Sequence, residues 1–232
     1  MKRKLFISLT LIISVFLVTG CGKDNKAALE FKEEYESLNG VVNKKGKEHR
    51  TIIIRKDNPY VKTTPEEIVK KINNKETFFL YVGDSLCPWC RSVLEKSIEV
   101  AKKYNVEKIY YIEIWDDEGN EILRDKYELT PILTKTIEGT EAYKILLEKF
   151  DSVLSEYTVT DTEGHKISTE EKRIYAPNYF YVRNGEVVKM VEGISDKQTD
   201  PRGELTEEIL KDEEEQFKSL FELVNSCPTS GC

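Results

Sequence analysis

The sequence predicts an α/β fold: a three-layer sandwich with a central mixed sheet, a helical insertion and a C-terminal helix. Three observations carry this. Residues 77–114 read as strand, turn, helix and strand, which implies a right-handed parallel unit. Residues 179–191 read as two strands around Asn184-Gly185, a strong hairpin signal that adds antiparallel pairing. Leu205 to Val224 is amphipathic at helical spacing and closes the chain.

The first segment reads as a targeting signal and is set aside from the fold. Lys2, Arg3 and Lys4 form a positive start, and Leu5 to Val18 is apolar except for Ser8, Thr10 and Ser14. The run is shorter than the about 20 apolar residues a membrane span needs. It ends in Val18-Thr19-Gly20-Cys21, a small-residue cleavage site with a cysteine just after it. An uncleaved helical anchor and an ordinary secretory signal are the other readings; all three put most of the chain outside the cytoplasm. The organisation read from this is a signal over 1–20, an anchor-proximal tether over 21–47, and one domain over 48–232.

Within the tether, Ala27 to Leu38 reads as a short helix. Thr51 to Arg55 (TIIIR) is β-branched and predicts a strand, which Asn58-Pro59 ends. Thr63 or Thr64 can cap a helix with Pro65 at its first position, and Ile68, Val69 and Ile72 give it an apolar stripe. Thr77 to Val82 (TFFLYV) has no alternation and suits a strand buried on both faces. Gly83-Asp84-Ser85-Leu86 turns the chain into a helix that carries Val93, Leu94, Ser97, Ile98, Ala101 and Tyr104 on one side. Val106 to Ile114 is the next strand. Between about 115 and 175 the pattern is weaker: Gly139 to Glu156 looks helical, and Thr158 to Arg173 reads as a polar loop with a short hairpin.

The net charge of −7 and the Lys- and Glu-rich surface argue against nucleic-acid binding. The run Glu213-Glu214-Glu215 reads as a solvated helix face, His49 and His165 as surface residues, and Trp115 as core. No Ser/His/Asp or Cys/His triad, phosphate-binding glycine loop, or flavin or nicotinamide motif is present, so no cofactor and no metal are expected.

The chemistry rests on cysteines. If Cys21 is modified, the other four fall into two close pairs, Cys87/Cys90 and Cys227/Cys232. An even count in an exported chain suits disulfide chemistry. Strand, turn, Cys-x-x-Cys and helix put Cys87 at a helix N-terminus, where backbone N–H groups and the macrodipole favour a negative sulfur. A thiolate is the nucleophile of thiol–disulfide exchange, and such positions lower its pKa from about 8.5 into the range ~3.5–7.5. Cys90 then lies behind Cys87 on the same turn, able to attack a mixed disulfide there. Trp89 reads as a partly exposed platform beside Cys87. The same motif is also half of a zinc site, with Cys227 and Cys232 as the other half, or a structural disulfide without turnover. Pro228 stops a helix and Gly231 turns the chain, so Cys227 and Cys232 are expected to form a structural disulfide, with a redox relay as the alternative.

Two stretches carry a resemblance. FFLYVGDSLCPWC resembles the active-site strand and motif of the thioredoxin superfamily, and APNYFYVRNGEVVKMVEG resembles that family's cis-proline and following hairpin. The resemblance implies a thioredoxin-like sandwich with catalytic Cys87 and Cys90, a cis Pro177 after Ala176, and Trp89, Ala176 and Pro177 against the substrate. Thr130-Pro131 is the rival for the cis bond. The two stretches lie about 85 residues apart, so the insertion at about 115–175 is expected to be helical. Where thioredoxins carry a buried acid, six residues before the first cysteine, this chain has Tyr81, so proton transfer at Cys90 is expected to differ. Val18-Thr19-Gly20-Cys21 resembles the lipobox of bacterial lipoproteins, which implies lipid on Cys21 and a cell-membrane location facing outward. The expected activity is thiol–disulfide exchange on cysteine-containing exported proteins, as reductase or isomerase rather than oxidase, with a membrane thiol electron donor. The alternative is a non-catalytic accessory lipoprotein of the kind that bacteriocin-transport accessory proteins represent.

Overall fold

A computed structural model describes residues 21–116 and 118–225. The signal reading at 1–20 and the Cys227/Cys232 pairing lie outside the described residues, as does the side chain of Cys21. The fold is mixed α/β. A five-stranded sheet has the order β1 (Tyr60–Lys62), β3 (Ile109–Glu113), β2 (Phe78–Gly83), β8 (Asn178–Arg183) and β9 (Glu186–Val191). The first three strands are parallel, and β8 and β9 run antiparallel, so the sheet is mixed as expected. Helix α3 (Pro88–Lys103) connects the adjacent parallel strands β2 and β3.

Helices cover both faces. α1 (Cys21–Glu36), α3 and α5 (Glu207–Phe221) send Phe31, Tyr35, Val93, Leu94, Phe217 and Phe221 onto one face. α2 (Pro65–Asn73) and α4 (Glu141–Phe150) send Ile68, Ile72, Leu146 and Phe150 onto the other. The local signals act as their chemistry requires. The Thr64 hydroxyl accepts from Glu67 N at 3.3 Å, and Pro65 opens α2. Asn184 and Gly185 both have positive φ, 52° and 79°, which a tight primed hairpin turn demands. A side chain at 185 would also meet Ile72 O at 2.3 Å, so glycine is needed there twice over.

Several expectations are corrected. Thr51 to Arg55 is not a strand. It is extended, with Ile52 and Ile54 buried and Ile53 76 % exposed, which is the pattern that suggested one. Its backbone bonds to side chains instead of a neighbouring strand. Asn39 pairs with both Ile52 N and Ile52 O, while Ile54 N donates to Glu36 and Ile53 N to Glu95. The edge strand is β1, just after Asn58-Pro59.

The stretch read as a tether is packed: Phe31 stacks on Tyr60 at 4.3 Å, and Tyr35 is fully buried. The insertion is only partly helical. Beside α4 it holds two hairpins, β4–β5 (Lys126–Leu129, Leu133–Ile137) and β6–β7 (Ser155–Thr160, Lys166–Arg173). Glu213 and His49 are buried rather than at the surface, while His165 is exposed. Trp115 is half-buried and touches the clusters on both faces. No helix among the described residues is long and apolar enough to cross a membrane.

Candidate active site

The site forms where β2 ends and α3 begins. Gly83 is the last residue of the strand, and the turn closes with Cys87 N donating to Asp84 O at 3.3 Å. Cys87 is the N-cap of α3, and Pro88 occupies the first turn, where its missing N–H costs nothing. A thiol takes the role usually played by a hydroxyl or carboxylate: Cys87 Sγ accepts from Cys90 N at 3.3 Å. The same thiol donates to Ala176 O at 3.6 Å. The two sequence stretches, far apart in the chain, therefore meet at Cys87. Both cysteines are free thiols and both are buried, Cys87 at 4 % exposure and Cys90 at 0 %. Trp89 is partly exposed and packs on the same cluster, as does Ala176; Pro177 is buried. The Ala176–Pro177 bond is cis, and so is its rival Thr130–Pro131.

The two thiols differ electrostatically. The hydrogen bond from the Cys90 side chain, helped by the N–H groups of Cys90 and Trp89, holds Cys87 below its ordinary value against burial and the Asp84 carboxyl. Burial, and then the Cys87 sulfur beside it, pushes Cys90 far up, while the nearby Tyr81 side chain acts the other way. Cys87 is thus the more easily ionised thiol and the better nucleophile near neutral pH. Burial pushes Asp84 up to about 7, although its carboxyl accepts from Leu86 N at 2.8 Å and Trp115 N at 2.9 Å.

Sequence reasoning did not find what lies beneath the pair. Tyr81 faces Tyr111 on one neighbouring strand and Tyr179 on the other, in direct register. The three rings stack, with centroids 5.3 Å and 4.4 Å from Tyr81. The Tyr81 hydroxyl is 3.0 Å from that of Tyr35, on α1. Tyr60, Ser97 and Tyr179 share a second hydroxyl cluster, and Tyr111 donates to Glu34 at 2.8 Å. Arg91, one residue past Cys90, is fully buried. It donates to the carbonyls of Tyr35, Ser85 and Arg50 and to Asn39 Oδ1, so it clamps the end of α1 to the turn before Cys87. Only the identity of Tyr81 was visible in advance; the register that stacks it is non-local.

A cleft of about 290 Å³ opens beside the turn, with Glu34, Asp84, Glu113 and Asp116 in its wall. Among the described residues no group of three or more His, Cys, Asp or Glu could hold a metal ion. No protein-family model matches the chain, and no curated protein matches it.

Proposed function

We propose that this protein is a membrane-anchored, extracytoplasmic thiol–disulfide oxidoreductase of thioredoxin-like topology, acting as reductase or isomerase on exported proteins. The observation that carries the reading is the setting of Cys87: N-cap of a helix after a buried strand, Sγ bonded by Cys90 N, and 3.6 Å from the carbonyl before a cis-proline. The parallel β1, β3 and β2 beside the antiparallel β8–β9 hairpin support the topology. The lipobox-like Val18-Thr19-Gly20-Cys21 supports lipidation of Cys21.

The chemistry balances with the dithiol and a substrate disulfide alone. The Cys87 thiolate attacks one substrate sulfur; a mixed disulfide forms, and the other substrate sulfur leaves as a thiolate and takes up a proton. Cys90 loses its proton and attacks Cys87 Sγ. The Cys87–Cys90 disulfide forms, the bond to substrate breaks, and the second substrate sulfur leaves and is protonated. Two electrons pass to the substrate. A thiol donor at the membrane returns them.

A second reading, a non-catalytic accessory protein, is favoured by one observation: both sulfurs are almost inaccessible. Trapping separates the two. In membranes carrying Cys90→Ser, Cys87 is expected to accumulate mixed disulfides with exported proteins, and Cys87→Ser is expected to give none. Absence of adducts from both variants supports the accessory reading; adducts only with Cys87→Ser reverse the roles of the two cysteines.

A further inference from the structure

The buried group that serves Cys90 need not be a carboxylate. The Tyr81 phenol is fully buried in the cluster that holds both cysteines, and three features aim it. Register clamps its ring between Tyr111 and Tyr179. Gly83 leaves it room: a Cβ at 83 would stand 2.2 Å from both Cζ and the hydroxyl of Tyr81, so the ring lies along the strand toward the Cys-x-x-Cys turn. Tyr35 then holds the hydroxyl at 3.0 Å from α1. From this geometry we propose that the Tyr81 hydroxyl, oriented by Tyr35, is the positioning residue for Cys90, donating a hydrogen bond to its thiolate during the resolving step.

The chemistry is consistent from each side. Burial and the nearby Cys90 sulfur keep the Tyr81 phenol protonated far above neutral pH, so it acts as a donor and not as a base. Burial does the same for Tyr35, whose hydroxyl can donate a hydrogen bond to the Tyr81 oxygen and so polarise the Tyr81 O–H. The proton of Cys90 goes to water, and the departing substrate thiolate takes one up. The groups facing Tyr81 are Tyr35 from α1, Tyr60 from β1, Tyr111 from β3, Tyr179 from β8, and Cys90 and Arg91 from α3. Glu34 and Asp84 act on Tyr35 at longer range. None of the tyrosines changes charge near neutrality, because burial raises all five. The helix nearest the proposed anchor thereby supplies part of the site.

This inference rests on the exchange reading above, and one experiment tells the two apart. The protein, carrying Cys21→Ser, Cys227→Ser and Cys232→Ser, is reduced and mixed with 5,5′-dithiobis(2-nitrobenzoate), and release of the coloured thiol is followed from pH 5 to 10. The first release reports attack by Cys87 and the second reports resolution by Cys90. In Tyr81→Phe the second phase is expected to slow about tenfold at neutral pH and its midpoint to rise by about one pH unit, as loss of one hydrogen bond to a charged sulfur requires. The first phase should stay within about twofold, since it does not use Cys90 as a nucleophile. Tyr35→Phe should shift the second phase the same way by less. Gly83→Ala, which keeps the hydroxyl but displaces it, should resemble Tyr81→Phe. A wild-type protein without a second phase overturns the exchange reading and this inference with it. Two normal phases in folded Tyr81→Phe and Tyr35→Phe overturn the tyrosine alone.

Discussion

Along β2, Phe78, Leu80 and Val82 point into one helical layer while Phe79 and Tyr81 point into the other, and the two layers differ in kind. Beneath α2 and α4 the packing is mostly hydrocarbon: Leu80 and Val82 share a cluster with Ile68, Ile112, Leu146 and Phe180, and the buried Tyr143 joins it with its hydroxyl accepting from Ile174 N at 3.3 Å. Beneath α1, α3 and α5 the strands supply the buried Tyr60, Tyr81, Tyr111, Tyr179 and Tyr181, α1 adds Tyr35, and the start of α3 adds both thiols and the buried Arg91. Every buried hydroxyl there needs a partner, and the network of Tyr35, Tyr60, Tyr81, Tyr111 and Tyr179 provides them. The difference teaches a division of labour. One face holds the sheet together mainly by area and shape. The other accepts the cost of buried polar groups, and the dithiol lies there.

The largest effect that tests this division comes from the apolar face. Leu80 is fully buried, and Leu80→Ala should cost about 3 kcal/mol by lost transfer energy and a residual cavity. Denaturant titration measures the loss, while the reaction of the Cys87/Cys90 pair with an aromatic disulfide should be unchanged in the folded variant. Altered exchange without a stability loss would break the comparison.

A smaller effect sharpens it from the polar face. Glu213 on α5 is buried with neither oxygen hydrogen-bonded, and burial pushes it up to about 8. The folded state therefore holds a proton that the unfolded chain releases above its ordinary value near 4.5. Stability contributed by this group falls as pH rises from about 4.5 to about 8 and stays low above that. Glu213→Gln removes the dependence. Its thermal midpoint should exceed wild type by ~3 °C more at pH 8.5 than at pH 4.5. A gap that does not change with pH would show that Glu213 is solvated.

How much of this was legible in the sequence follows from what each signal encodes. The turn at Asn184-Gly185, the cap at Thr64 and the unbroken apolar run of β2 are local, and each formed where its chemistry required. Thr51 to Arg55 failed because periodicity reports which face is buried and says nothing of what the backbone bonds to; here the partners are Asn39, Glu36 and Glu95 side chains. The hairpins β4–β5 and β6–β7 were blurred by polar residues on both faces, as in Leu133–Ile137 (LTKTI). Glu213 sits in a run that reads as helix surface and Arg91 carries no signal of its own in the sequence, and the packing of α5 and α1 buries them. In the site, Cys87, Cys90 and the proline were readable because a motif carries them. The tyrosine stack was not, since it exists only once β2, β3 and β8 are in register.

The most direct test of the central claim is the equilibrium reduction potential of Cys87/Cys90, measured by mass spectrometry in glutathione and dithiothreitol redox buffers. The account predicts a reversible two-electron couple, nearer to the about −270 mV of thioredoxin than to the about −120 mV of a strong exported oxidant, and lost in Cys87→Ser. A pair that stays dithiol across the whole range, or is oxidised without returning, would contradict it.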